Sequence, residues 1–364
     1  MDNKFSIVIP YHAEASTIDF ARRQVHYYHV NPTPMMVILA VSGDEMVKTA
    51  LEEFIKTLND SRFIVFTINE GDITNKDAFL QKLLFALKSV TTPYVVINGA
   101  DDVIIPEKAC KGIEILAKNA DIAAVKGYTI FFDCKSGAID ILKDSANLDD
   151  DPIQRVKEAI KDRDSIYYII RRTTDLVREY ENIINLSKKS TMVRNSLYHI
   201  EHCKALSAAA LGKIYVFNTP WRLCNSHLHN SSSHTESSFI RVEFGCLDKV
   251  NYEWFQSVNS NMRVLSYPLY KFLWECHQIR GISVTLKQII FHFLYKNCSL
   301  NNTTRIFIYF VLNKIYMFFK KIFCNKSTLL KEEDKKSFFK TAAYLSLKKH
   351  YFSEQDIKLI ESKE

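Results

Sequence analysis

Tyr94-Val95-Val96-Ile97-Asn98-Gly99-Ala100-Asp101-Asp102-Val103 is the stretch on which the fold turns. Its four leading apolar residues, mostly β-branched or aromatic, predict a buried strand. Asn98-Gly99 is a turn pair that stops it. Two adjacent carboxylates follow, and Pro106 then opens a helix at its first position, with Glu107 in the first turn. A paired acid therefore sits at the C-terminal end of a buried strand, where open α/β sheets place their ligands. Adjacent carboxylates repel unless positive charge lies between them. A divalent cation that prefers hard oxygen, Mg²⁺ or Mn²⁺, carrying a diphosphate, meets that need. The competing reading is a helix-capping loop, a role for which aspartate is also suited.

The chain before this stretch alternates strand and helix. Residues 5–10 form a short apolar strand ended by Pro10, with Tyr11-His12-Ala13-Glu14 as a loop after it. Ser16 or Thr17 caps a helix running to about Tyr28. Residues 35–41 read as a second strand, broken by Ser42-Gly43-Asp44, and 47–58 has helical spacing. Residues 62–68 read as a third strand, and Thr74 or Asn75 caps a helix over 76–89. A fifth strand is expected at 122–125. This rhythm with short links predicts an α/β fold: a mostly parallel, Rossmann-like sheet flanked by helices.

Composition narrows the chemistry. Glycine is scarce at 9 of 364 residues, and no GxGxxG or GxxxxGK[ST] phosphate loop is present. The eight cysteines, at 110, 134, 203, 224, 246, 276, 298 and 324, form no CxxC pair. That spacing excludes a zinc site and a small secreted disulfide framework, and predicts reduced thiols in a cytoplasmic protein. Met1-Asp2-Asn3-Lys4 runs straight into the first strand, which reads as a chain without a signal peptide. The net charge is +7 and unevenly placed: residues 263–326 hold ten Lys or Arg against one acid, Glu275. This asymmetry points to an anionic partner for the C-terminal part.

The motifs now on the page resemble those of the family 2-type glycosyltransferases, a GT-A family that uses nucleotide-sugar donors, and within it a bacterial surface-polysaccharide subgroup. The likeness rests on Ser6-Ile-Val-Ile-Pro-Tyr-His-Ala-Glu14, the strand ending near Ser42-Gly43-Asp44, and the Asp pair before the Pro106-Glu-Lys helix. It covers roughly residues 4–230. It implies that Pro10, Tyr11 and Glu14 line the base pocket, with Ser42 or Asp44 near the uridine or ribose and Lys76 near the diphosphate. Asp101 takes the place of the direct metal ligand, and Asp102 is a second ligand or a sugar-hydroxyl contact. The sequence departs from the family's Asp-x-Asp-Asp at its first position, which is Gly99 here. Asn98 is the candidate substitute for the missing carboxylate.

Further along, 127–133 suggests a strand lining an acceptor cleft, and Asp144 with Asp149-Asp150-Asp151 reads as a solvated acidic loop. Residues 152–163 read as a charged helix. Arg171 and Arg172 follow an aromatic stretch that in the family borders the acceptor site; a helix surface is expected for one of them. His199-Ile200-Glu201-His202 precedes an Ala-rich helix over 203–211, stopped by Gly212, and 213–218 is a strand. The family places its catalytic base just before such a helix, which implies Glu201 in that role, with His202 replacing a second acid. Transfer to a hydroxyl needs a base within hydrogen-bond reach. The alternative for Glu201 is an electrostatic role at a helix N-terminus. Residues 221–229 read as a loop, in which His227 or His229 is a candidate third metal ligand and Arg222 a phosphate contact. Their alternative is a polar surface loop.

The expected organisation is a nucleotide-sugar-binding catalytic domain over 1–235 and a helical, basic and aromatic region over 236–364. In the latter, 304–323 sets Arg305, Lys314, Lys320 and Lys321 opposite Phe307, Phe310, Val311, Ile315 and Phe318, a pattern suited to a helix lying in a membrane interface. Packing on the catalytic domain or on a second copy in a homodimer is the alternative. The last forty residues read as a solvated tail or peripheral helices. No nucleic-acid motif accompanies the basic segment, which argues against RNA or DNA as partner. The sequence thus predicts a metal-assisted, inverting glycosyltransferase on the cytoplasmic face of the inner membrane. Its partners are a nucleotide-sugar donor and a glycan or lipid-linked glycan acceptor of capsule or lipopolysaccharide type. The second reading is a degenerate GT-A domain that binds nucleotide or glycan in an assembly without turnover.

Overall fold

The computed structural model describes residues 4–68, 76–134, 136–161, 168–188, 197–226 and 332–362. Strand and helix alternate through the first half: β1 (Phe5–Ala13), α1 (Ile18–Val30), β2 (Met35–Gly43), α2 (Glu45–Leu58), β3 (Phe63–Thr67), α3 (Lys76–Lys88) and β4 (Tyr94–Ile97). Then come β5 (Val103–Ile104), α4 (Pro106–Lys118), β6 (Ile122–Asp133), β7 (Ile139–Leu142), α5 (Pro152–Lys161), β8 (Ile170–Arg172), α6 (Thr173–Ser187), α7 (Leu197–Leu211) and β9 (Lys213–Ser226). Three helices end the described chain: α8 (Glu332–Phe339), α9 (Ala342–His350) and α10 (Glu354–Glu361).

One sheet runs in the order β3-β2-β1-β4-β8-β6-β9-β5, with β7 also paired to β6. The β3-β2-β1-β4 half is wholly parallel, as is the long β6–β9 ladder; β8, β5 and β7 pair antiparallel. Alternation along β1 explains its two cores. Phe5, Ile7 and Ile9 pack with Val37, Leu39 and Val96 against α1, α2 and α4. Val8 faces the other way, with Ile38, Val95 and Ile97, onto α3 and α6. The expected α/β fold is what the chain adopts: a mixed, mostly parallel sheet flanked by helices, with helices at the C-terminus.

The elements differ from expectation in instructive places. β1 does not stop at Pro10 but runs to Ala13. Its pairing with β4 ends at Val8 opposite Ile97, so beyond that point, among the described residues, β1 has only β2 beside it. A proline without N–H is tolerated on such a one-sided segment. β9 runs to Ser226, so Trp221 and Arg222 belong to a strand and not to a loop. α7 begins at Leu197, so Glu201 and His202 lie inside the helix instead of preceding it. Arg171 and Arg172 are on β8, and neither lies on a helix surface. Arg171 makes a buried ion pair with Glu179 at 3.1 Å, and Arg172 donates to the Ile122, Leu116 and Asn119 carbonyls. Asp144 is not solvated: its carboxylate is buried against Lys126 at 3.4 Å.

The charged C-terminal stretch is helical but not a solvated tail. Phe338, Tyr344, Leu347, Tyr351, Phe352 and Ile360 join the same core as β1 and α1. Lys335 pairs with Asp140 at 2.6 Å and Arg23 with Asp356 at 2.8 Å. The segments 227–331 and 363–364, including the basic aromatic stretch, lie outside the described residues. Among the described residues no helix is long and apolar enough to cross a membrane.

Gly43 closes β2 at φ +104°, and a Cβ there would stand 2.5 Å from the Ala13 carbonyl oxygen. Both the left-handed backbone and the close approach to β1 demand glycine. Gly43→Ala is therefore expected to lower stability by about 1–3 kcal/mol, read by denaturant unfolding. An unchanged midpoint would show that this strand end shifts freely.

Candidate functional site

The sheet has a topological switch point between β1 and β4. From β1 the chain winds outward through β2 to β3, then returns to form β4 on the opposite side of β1. The crevice beyond the C-terminal ends of β1 and β4 is where such sheets bind ligands. The acidic loop stands at its β4 side; Tyr11 and Glu14 stand at its β1 side.

The loop is fixed from several directions. Asn98 is buried and its N–H donates to the Val8 carbonyl at 2.8 Å, extending the β1–β4 ladder by one rung. Its Nδ2 donates to the Asp102 carbonyl at 2.7 Å, to the Gly99 carbonyl at 3.2 Å and to the Tyr28 hydroxyl at 3.4 Å. Gln24 Nε2, from α1, donates to the Gly99 carbonyl at 3.0 Å and also to the Asp102 carbonyl. Tyr28, from the same helix, accepts from the Ile104 N–H at 3.0 Å. These bonds turn the chain after β4 and deliver Val103 and Ile104 to antiparallel pairing with Leu223 and Arg222.

Both carboxylates are held in a poorly solvated place. Burial, and then the charge of Asp102, push the Asp101 carboxyl up to about 7. Burial also raises Asp102, against the opposing pull of Arg222, Cys224 and the Asn225 N–H. That N–H donates to Asp102 Oδ1 at 3.3 Å. Arg222 is itself buried, which works against its charge, but Asp102 first and then Cys224, Tyr168 and Asp144 hold the guanidinium above its usual range. Its guanidinium carbon lies 4.0 Å from the centroid of the Tyr168 ring, a cation–π contact. The result is a half-buried Asp101 beside a fully buried Asp102, with the Arg222 charge acting on both.

The remaining sequence-predicted residues fall into three sets. Tyr11, with its hydroxyl 2.8 Å from Thr17 Oγ1, and buried Ser42 come together through Lys82, whose Nζ donates to the Ser42 hydroxyl at 2.8 Å and the Tyr11 carbonyl at 3.3 Å. Pro10 precedes them on β1, and Glu14 follows at its open end, 3.7 Å from the His12 ring. Asp44 caps α2, its carboxylate accepting from the Val47 N–H at 3.1 Å. The Lys76 and Glu201 side chains, and His227 and His229 altogether, lie outside the described residues; the backbones of Lys76 and Glu201 are in α3 and α7.

Gln24, Tyr28, Lys82, Cys224, Asn225 and Tyr351 were not among the sequence candidates. Asn225 Nδ2 donates to the Asp101 carbonyl and, at 2.6 Å, to the Tyr351 hydroxyl. The period-2 pattern of β9 could have placed Cys224 and Arg222 on one face. No local signal marks Tyr351, 250 residues from Asp101.

The donor set suits a hard cation. Mg²⁺ and Mn²⁺ sites that serve diphosphates commonly use one or two carboxylates, with phosphate oxygens and water completing the shell. Asp101 and Asp102 offer that minimum; among the described residues no group of three His, Cys, Asp or Glu converges. A Cβ on Gly99 would lie 3.0 Å from Asp101 Oδ1 and 3.1 Å from Asp102 Oδ2, so a side chain at this position would point at both carboxylates. Asn98 Oδ1 is buried and has no hydrogen-bond partner among the described residues, an acceptor left over beside the pair.

No protein-family model and no curated protein matches the sequence. Among solved structures, S. aureus TarS 1–349 is 13% identical, with 81% of this chain covering 76% of that one at a TM-score of 0.46. The complex of TarS 1–349 with UDP-GlcNAc gives 14% identity, the same coverage and the same TM-score. The complex with UDP gives 16% identity over 99% of this chain and 84% of that one, with a TM-score of 0.43. Overlaps of this extent do not carry a ligand or an activity from one chain to the other.

Proposed function

We propose that this chain is a glycosyltransferase that moves a sugar from a nucleotide-sugar donor to a hydroxyl of a bacterial cell-surface glycan, of capsule or lipopolysaccharide type. The observation that carries this reading is the Asp101–Asp102 pair at the switch point, with Asp102 buried and the buried Arg222 charge acting on both. In this reading the ends of β1 and β2, cross-tied by Lys82, hold the nucleoside, and Asp101 with Asp102 holds Mg²⁺ or Mn²⁺. The bound cation supplies Lewis-acid neutralisation of the departing diphosphate.

The chain's own residues do the rest. Arg222 stays charged in a site of low dielectric, where its field on the leaving phosphates is strong. Glu201, near the N-terminal end of α7, takes the proton of the acceptor hydroxyl as that oxygen bonds to the anomeric carbon. The bond from that carbon to the diphosphate breaks on the opposite face, which inverts the centre. The excess of basic residues over 263–326 supports a place at the anionic inner surface of a membrane, with the cytoplasm supplying the donor.

A second reading, nucleotide or glycan binding without turnover, is favoured by Gly99 in place of a third carboxylate and by the engagement of Asp102 with Arg222, Cys224 and Asn225. Thermal shift with UDP, GDP, CDP and ADP, each with and without Mn²⁺, tests nucleotide binding. At about 100 times its dissociation constant, a ligand of the folded state stabilises by roughly 2.7 kcal/mol. We expect one nucleotide to act, and only with metal. If none does so, the transferase reading fails, and of the second reading only glycan binding is left. Slow hydrolysis of the matching nucleotide sugar then separates transferase from binding protein.

A further inference from the structure

The groups that set the acidic loop do not all come from the N-terminal half. Tyr351 is the C-cap of α9, one residue before the sharp turn into α10. It is buried, with its ring edge-on to Tyr27 at 6.4 Å between centroids. Its hydroxyl donates to the Asp101 carbonyl at 3.0 Å and accepts from Asn225 Nδ2 at 2.6 Å. Asn225 in turn donates its side-chain amide to the same Asp101 carbonyl and its backbone N–H to the Asp102 carboxylate. The two residues therefore form one hydrogen-bonded node that touches both members of the acid pair, from a strand end and a distant helix end.

The node is anchored independently of the loop. Arg23 Nη1 donates to the Tyr351 carbonyl at 3.3 Å and to Asp356 Oδ2 at 2.8 Å. Ser353 and Asp356 form a reciprocal capping box that fixes the start of α10. Phe352 packs on Phe132, with centroids 4.8 Å apart.

We propose that Tyr351 is a positioning residue: through its hydroxyl and Asn225 it holds the Asp101–Asp102 loop in the geometry that binds metal and diphosphate. The terminal helices are then part of the site and not an appendage to it. The functional half of this inference rests on the transferase reading; the positional half does not. Phenylalanine at 351 keeps the buried ring and removes only the oxygen.

The test uses the full chain in three forms: wild type, Tyr351→Phe and Lys335→Met. The last removes the ion pair between α8 and Asp140 of β7 and makes no contact with the node. Backbone amide exchange is followed over the peptide spanning 98–105. Loss of one buried hydrogen bond to the loop predicts exchange faster by about tenfold in Tyr351→Phe. Lys335→Met should exchange there like wild type even if it melts earlier. A similar weakening, about tenfold, is expected in the Mn²⁺-dependent affinity for the nucleoside diphosphate that the wild type selects, again in Tyr351→Phe alone. Unchanged exchange over 98–105 in Tyr351→Phe overturns the inference, as does equal acceleration in both variants, which would mark general loosening. Faster exchange with unchanged affinity limits Tyr351 to a structural part and overturns the functional half. A wild type that binds no nucleotide defeats the transferase reading, while the exchange result still decides whether Tyr351 sets the loop.

Discussion

Asp101→Asn is expected to raise the melting temperature of the metal-free protein at pH 8 while abolishing metal-dependent nucleotide binding. The Asp101 carboxyl is pushed up to about 7 in the folded chain, by burial first and by Asp102 second. Its unfolded value is near the ordinary carboxylate range, about 3.9. Between those values the folded state binds a proton that the unfolded state has released. Stability therefore falls as pH rises from about 4 to about 7, and the deficit is complete above that. Its size is on the order of 2–4 kcal/mol, reduced where Asp102 shares the proton. Asparagine carries no charge and removes the slope. Wild type and variant should converge near pH 4 and separate by several degrees at pH 8, in calorimetry without divalent metal. With Mn²⁺ and nucleotide present the order should reverse. A variant that melts lower than wild type at pH 8 would mean that the protein already compensates this carboxylate, leaving no demand for a cation.

Arg222→Met should do the opposite to its neighbour. Removing the guanidinium leaves Asp102 buried with Asp101 beside it and its principal counter-charge gone. The two act on each other through space in a buried place, and losing that attraction is expected to cost about 1–3 kcal/mol. The deficit should depend on pH in a definite sense. With Arg222 absent the folded Asp102 carboxyl rises further above its unfolded value, so the penalty is complete at high pH and shrinks as pH falls and the proton goes on. Urea midpoints at pH 5 and pH 8 check this. The double variant Arg222→Met, Asp102→Asn should recover most of the loss at pH 8, since no charge is left stranded. A deficit that ignores pH and survives the second substitution would trace instead to lost packing on the Tyr168 ring.

How far the sequence disclosed this arrangement depends on where each signal resides. β4 and its acid pair were legible because an apolar run, a turn pair and an N1 proline all act locally. Pro10 misled because a proline ends a strand only where its missing N–H would have been used, and that depends on where β4 stops. Arg222 was found, but for a loop. Its strand exists because β6 and β5 pair with it from distant parts of the chain. Asp144 looked solvated beside three further acids, and only the fold supplies the Lys126 that buries it. Tyr351 lay in a charged stretch whose apolar face has no visible counterpart until β1 and α1 are assembled beneath it.

The contact between Tyr351 and Asp101 also sets an order in time. A ribosome adds roughly 5–20 residues each second, so the 250 residues between them take on the order of ten to fifty seconds to appear. During that interval β1 to β4 can pair and the loop can form, but its two acids wait for the hydroxyl that fixes them. A nascent chain would thus carry a folded sheet before it carries a finished site. Any product cut short before α9 would keep the strands of the sheet while lacking the hydroxyl that ties Asp101 to Asn225, a built-in delay between acquiring the sheet and fixing its acidic loop.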